Sequence, residues 1–360
     1  MNAELIRPDD PRWHAFLSRV PHDAYHLPEY VEFAARHEGG APAALFAASG
    51  ASALLLPLVI RDLPEDLGAP GDWSDATSPY GFYASPLASD PRDGRAVAVA
   101  LAALRDVAHA HGIVSAFVRL HPLRSLPADA LAAVGHVETH GRVVPVDLTH
   151  SLEQLWSETR ANHRTGIRKL TRTGFVASMD DWDRYGDFIR IYRATMERVA
   201  ATSFYFFPEA YFEELRIALG EQLHLCTIVS PGGELAAAGV FCVLGDAIQY
   251  HLGATATAYL RHAPSKLMFD VVRRWAKERG CGVLNLGGGL GGAEDSLFHF
   301  KAGFSPLGAT CQTFRMVVDD ERYRALQARH REPGGQADDP LTGFFPAYRR
   351  PYAPAVTRSE

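Results

Sequence analysis

The sequence predicts an α/β (α+β) chain built from a duplicated unit, and three observations carry that expectation. At 360 residues and 47% hydrophobic composition, the chain can bury a large core and divides more naturally into two domains than one. Its apolar segments run strands, helix, strand, and then repeat that order. Asp147 to Leu152 separates the two runs.

In the first half, "APAALFAASGASALLLPLVI" reads as two strands joined at a Gly/Ser turn. "GRAVAVALAALRDVAHAHG" reads as a helix closed by Gly112, followed by the strand "IVSAFVRL". In the second half, "LHLCTIVS", "ELAAAGVFCVL" and "AIQYHLG" form a meander turning at Pro231-Gly232-Gly233 and Gly245-Asp246. A helix follows from about Pro264 to Arg279, stopped by Gly280, and then the strand "CGVLNL". The expected domains are residues 1–150 and 151–330. The Pro/Gly-rich stretch 331–360 is expected to be a loose tail.

Composition excludes several classes. A net charge of −6 argues against a protein coated in nucleic acid, while leaving room for a local basic site. No apolar run approaches the roughly 18 residues of a membrane span, and "MNAELIRPDD" lacks the features of a signal peptide, so a cytoplasmic location is expected. The four cysteines are far apart within strand-like runs and read as buried free thiols. The sixteen histidines form no ligand-spaced set, so no metal is expected. There is no H-E-x-x-H, P-loop or nucleophile elbow.

"NLGGGLGGAEDSLFHFKAGF", residues Asn285 to Phe304, contains G-x-G-x-x-G at Gly287, Gly289 and Gly292. A dinucleotide loop should follow the first strand of a βαβ unit and precede an acidic residue about 20 positions on. This one follows the second meander, and after it come only the short helix "DSLFHFKAG" and a last antiparallel strand, "TCQTFRMVV". The glycines therefore read as a tight, close-packed turn, with Asp295 as N-cap of the helix. Lys301 falls within the stripe that Leu297, Phe300 and Phe304 would bury. Either its ammonium snorkels toward the helix C-terminus, or it is a cation held at an apolar cleft to stabilise developing oxygen charge.

"RANHRTGIRKLTR", if helical, places Arg160, Arg164, Arg168 and Arg172 on one stripe with Lys169 beside it, and no acid occurs between Thr159 and Met179. The stripe is either a solvated face neutralised by Asp180, Asp181 and Asp183, or a phosphate-binding surface for a tRNA acceptor stem or a nucleotide-linked diphosphate. "SFYFFPEAYF", with Tyr205, is either core or the lining of a substrate pocket. Asp75 is either a local cap or a base or anchor for an incoming amine.

The segments "YHLPEY", "TSPYGFYASPL", "IRKLTRTGFVA" and "LGGGLGGAEDSLFHFKAGF", in that order, resemble the Fem-type transferases of the GNAT superfamily over roughly residues 20 to 325. The most specific piece is Phe300-Lys301 followed by Gly303-Phe304. The resemblance implies two tandem GNAT-like domains, each a mixed, mostly antiparallel sheet flanked by helices. It also implies transfer of an amino acid from aminoacyl-tRNA to an amine of a cell-wall precursor or a small natural product, with no cofactor beyond that co-substrate. Lys301 would stabilise oxygen charge with Phe300 beside it, and Arg198 and Tyr250 fall roughly where the family binds its acceptor. Ordinary GNAT enzymes bind acetyl-CoA with a Q/R-x-x-G-x-G/A loop, whereas "RHAPSK" has no glycine at either required place. The alternatives are an acyl-CoA-dependent N-acyltransferase and a non-catalytic relative that binds tRNA or a nucleotide-linked ligand.

Overall fold

A computed structural model describes residues 1–81, 83–330 and 343–351. The first-half strands are β1 (Asn2–Ile6), β2 (Gly40–Ser49), β3 (Ser52–Asp62), β4 (Ser74–Thr77), β5 (Leu87–Ala88), β6 (Ile113–Leu120) and β7 (His136–Asp147). Helices α1 (Pro11–Leu17), α2 (Pro28–Glu38), α3 (Gly94–Ala110) and α4 (Ala128–Ala132) lie among them. The second half has β8 (Val176–Met179), β9 (Leu223–Val229), β10 (Leu235–Leu244), β11 (Ala247–Thr255), β12 (Val283–Gly288) and β13 (Ala309–Val317). Its helices are α5 (Leu152–Glu158), α6 (Ala161–Arg172), α7 (Tyr185–Arg198), α8 (Glu209–Leu219), α9 (Ser265–Glu278), α10 (Ser296–Lys301) and α11 (Asp320–Arg329).

The expected elements form where their patterns place them. β2 and β3 pair as a hairpin with Ser49 opposite Ser52. α3 buries Val97, Ala100, Leu101, Leu104 and Ala108, spacings that follow a 3.6-residue turn, and the Asp93 side chain accepts from Ala96 N at its start. Gly112 ends that segment at φ +75, where a Cβ would meet the Asp72 carbonyl at 2.0 Å, so both the turn and the close approach require glycine.

The thirteen strands of the described residues join one sheet in the order β1-β2-β3-β4-β6-β13-β7-β12-β11-β10-β9-β8, with β5 paired to β3. Among the described residues, only β4–β6 and β11–β12 are parallel. These two parallel pairs occupy corresponding places in the two halves. Beyond them the halves exchange a strand: β7 of the first pairs with β12 of the second, and β13 of the second pairs with β6 of the first. A division at residue 150 follows the chain, not the sheet. The halves also share a core, in which Tyr30 and Phe33 of α2 pack with Tyr211, Phe212 and Leu215 of α8.

The stretch expected to be a loose tail departs from that expectation over residues 343–351; the rest of it, 331–342 and 352–360, lies outside the described residues. Phe345 and Tyr348 are buried against Tyr323 and Leu326 of α11 and Val114 of β6. Two aromatics docking in one apolar layer outweigh the local Pro/Gly content.

No helix among the described residues is long and apolar enough to cross a membrane.

Candidate active site

The glycine loop turns the chain from β12 into α10, and several of its amides are already occupied. Gly287 N donates to Asn285 Oδ1 at 2.9 Å, and Leu290 N and Phe298 N donate to the two carboxylate oxygens of Asp295. Asp295 is thus the expected N-cap. Gly292 packs against β7, where its carbonyl would stand 1.9 Å from a Cβ at Gly141. The glycines serve close packing and leave these amides no phosphate to hold.

α10 aims Lys301 inward. The buried face of this helix is Phe298 and Lys301, with Phe304 beyond, while Leu297 is exposed. That corrects the expected stripe through Leu297 and Phe300 by one position. Lys301 is 7% exposed, and its Nζ donates to the Gly288 carbonyl at 2.7 Å and lies 5.7 Å from the centre of the Tyr250 ring. The ammonium points into the fold and does not snorkel. Burial pulls its pKa down to about 8, and the Asp295 carboxylate opposes that shift. A Cβ at Gly287, which has φ +73, would come within 3.4 Å of Nζ.

Tyr250 is brought to this place by a bulge. Val240 pairs with Leu252 but Phe241 with Tyr250, so His251 is the extra residue of β11. Tyr250 then faces Phe269 and Lys301, while His251 packs against Tyr25, Tyr30 and Tyr80. Phe300 stacks among Phe269, Phe304 and His163, and its carbonyl is bonded by His163 Nε2 at 3.0 Å, so it packs beside the lysine as a support.

Other sequence candidates separate here. Asp75 is fully buried on β4, and Arg61 Nε and Arg349 Nε donate to its two oxygens at 3.0 and 2.5 Å. It anchors the 343–351 segment and is no base for an amine. Arg198 is exposed at the end of α7, donating to Thr257 and Thr195. Tyr205 is half-buried beside Tyr80, and its carbonyl accepts from the Tyr192 hydroxyl. These contacts do not bring Arg198 or Tyr205 to Lys301.

The predicted basic helix is α6. Arg164 is consumed by it: its Nη1 donates to the Trp156, Ser157 and Thr159 carbonyls at the end of α5. Arg160 donates to the His299 carbonyl, and Arg168 lies over the Trp156 ring at 5.2 Å. Arg168, Lys169 and Arg172 are exposed without an ion pair among the described residues. Of the three acids expected to neutralise them, two are engaged elsewhere, Asp180 with His224 and Asp181 with Arg184.

Sequence reasoning missed one part of the site. Asn285 is a buried polar side chain within an apolar strand, which was the available signal; it holds Gly287 N and faces Tyr83 of the "TSPYGFYASPL" segment. The stretch "SFYFFPEAYF", expected to be core or pocket lining, divides between the two: part of it borders an aromatic cavity of about 260 Å³ between α2, Tyr80 and residues 203–211. Phe204 and Phe206 of "SFYFFPEAYF" line it, whereas Phe212 is core.

Residues 157–301 match the acetyltransferase (GNAT) domain family. No curated protein sequence matches the chain. Among solved structures, the fold is similar to that of FemX, at 14% identity and a TM-score of 0.69, covering 90% of this chain and 99% of that one. It is also similar to L-PGS from Bacillus licheniformis, at 14% identity and a TM-score of 0.53, covering 90% and 97%. Residues 157–301 thus carry the match to a GNAT domain, and the chain as a whole, with its two corresponding parallel strand pairs, has a fold similar to that of FemX.

Proposed function

We propose that this chain is an aminoacyltransferase that forms an amide by direct attack of an acceptor amine on the ester carbonyl of an aminoacyl-tRNA. The observation that carries the reading is Lys301, a buried ammonium whose described hydrogen bond goes to a neutral backbone carbonyl. As the amine nitrogen bonds to the ester carbon, the carbonyl electrons move onto oxygen; they return as the bond to the ribose oxygen breaks, and the proton lost by the amine ends on that ribose hydroxyl. A cation in low dielectric stabilises that oxygen, or the departing ribose oxygen, more than water could. Gly288 and Tyr250 hold the cation in place, so little reorganisation accompanies reaction.

Two features favour a tRNA donor over acyl-CoA. At the start of α9, Pro264 has no N–H, and Lys266 N and Leu267 N donate to the Ala263 and Pro264 carbonyls, which leaves few amides for a pyrophosphate. Arg168, Lys169 and Arg172 present charge without an ion pair among the described residues. The acceptor is an amine of a cell-wall precursor or a small natural product.

The test is to incubate the protein with a pool of tRNAs charged with labelled amino acids and a panel of amines. Label should reach an acid-stable product, ribonuclease should abolish its formation, and acyl-CoAs should not replace the tRNA. Robust turnover with an acyl-CoA after ribonuclease treatment would overturn the donor assignment. tRNA binding with no transfer to any amine in the panel would favour the non-catalytic reading.

A further inference from the structure

The aromatic cavity carries a carboxylate that the chemistry at Lys301 does not use. Glu38, the last residue of α2, lines it together with Tyr80, Phe204, Phe207 and Tyr211. One oxygen of Glu38 accepts from Tyr80 N at 2.6 Å. The two arginines that act on its charge have other partners: Arg61 bonds Asp75, and Arg119 Nη1 bonds the Ser78 carbonyl and hydroxyl. Burial pushes the Glu38 carboxyl up, with Arg119 pulling against it from beyond ion-pair range.

A half-buried carboxylate without an ion pair among the described residues attracts a cation, and aromatic faces attract one through their quadrupoles. The rings and the carboxylate converge on one space. An apolar cavity of about 150 Å³ holds a benzene molecule. At about 260 Å³ this one has room for a ring and a short charged arm. Phe204 and Phe206 are 46% and 41% exposed at its rim, an apolar surface that an occupant would cover.

We infer that this cavity is a subsite for an organic ammonium group carried on an apolar or aromatic stem. The inference rests on the transferase reading for its role, which is to anchor the non-reacting end of the acceptor. The ammonium held here is not the reacting nitrogen, because neither Lys301 nor Tyr250, Gly287 or Gly288 lines the cavity, and the attacking amine must be neutral. Nor is it the donor's α-amino group, which stays within two bonds of the carbonyl that Lys301 serves. On this inference the acceptor carries a second, cationic nitrogen.

Direct binding tests this without any transfer assay. The probes are phenethylammonium and its neutral isostere 2-phenylethanol, titrated by calorimetry and by ligand-detected NMR against the full chain. The wild-type protein should bind the ammonium roughly five- to tenfold more tightly than the alcohol. Glu38→Gln keeps an oxygen to accept from Tyr80 N; it should erase that preference while alcohol binding and the melting temperature stay near wild type. Equal affinity for the two probes in the wild-type protein, or a preference that survives Glu38→Gln, would overturn the subsite. If the ammonium preference is present but no amine is ever acylated, the transferase reading fails and the subsite stands.

Discussion

Asp75 in the first half and Lys301 in the second are both charged side chains withdrawn from water, and the protein treats them in opposite ways. Asp75 receives two arginines, one from the neighbouring strand and one from residue 349, so both its oxygens are satisfied by positive charge. Lys301 receives a peptide carbonyl and the face of a tyrosine, with no carboxylate within ion-pair distance among the described residues. Burying a charge costs several kcal/mol, and pairing recovers much of that cost only when the geometry is good. Asp75 has that compensation and Lys301 lacks it. A satisfied charge stabilises the structure around it. An unsatisfied one is held ready for charge that develops elsewhere, which is why the first reads as an anchor and the second as part of the chemistry.

The largest expected effect falls on Asp75. Asp75→Asn leaves Arg61 and Arg349 facing each other across a neutral group, and breaking a buried pair in this way costs about 3 kcal/mol or more. Chemical denaturation should show the loss, and limited proteolysis should show release of the 343–351 segment. The transfer rate per folded molecule should stay within about twofold of wild type, since the bonds of Asp75 run to Arg61 and Arg349 and not to the reacting centre. A rate loss of two decades with unchanged stability would reverse the comparison and restore Asp75 as a catalytic candidate.

Lys301→Met should do the opposite. It removes an uncompensated buried charge while keeping much of the stem volume, so folding should be unharmed or improved. The transfer rate should fall by a factor on the order of 100. pH sharpens this further. The working form is the ammonium, with a pKa of about 8. The log of the wild-type rate should therefore fall above pH 8 by about one decade per unit, a limb absent from the residual activity of the variant. The stability sign is fixed by the depressed value: between pH 8 and about 10.4 the unfolded chain holds more protons at this site. Wild-type stability should accordingly rise relative to Lys301→Met across that window. A variant that transfers at the parent rate removes Lys301 from the mechanism.

Much of this molecule was legible because period and turn chemistry are local. The β2–β3 hairpin, α3 with Gly112, the second meander and the Asp295 cap all rest on residues within a few positions of one another. What was not legible depends on distant partners. A strand's alternation tells which face is buried and not which neighbour it pairs with, so the exchange of β7 and β13 was invisible. Asp75 was misread for the same reason, since its arginines stand 14 and 274 residues away. For Lys301 the structure shows the expected burial but a different phase of the stripe. A helix of six residues is too short for its apolar stripe to choose between Leu297 and Phe298.

The comparison between satisfied and unsatisfied charge extends to α6 and gives the smallest effects. Arg164 and Arg168 are one turn apart with the same side chain, yet Arg164 bonds three carbonyls at the end of α5, while Arg168 rests over Trp156 with its charge outward. Arg164→Gln should act on stability, because the α5 carbonyls it serves lose a charged donor. Arg168→Gln, Lys169→Gln and Arg172→Gln should each leave stability within about 0.5 kcal/mol, as exposed substitutions do. Each should instead weaken binding of bulk tRNA a few-fold. The slope of log affinity against log salt should become shallower by about 0.7 to 0.9 for each phosphate that is no longer neutralised. Filter binding across a series of salt concentrations reads both quantities at once. If the three outward residues leave affinity and slope unchanged, their charge is a solvated face, and the tRNA would have to dock elsewhere on the chain.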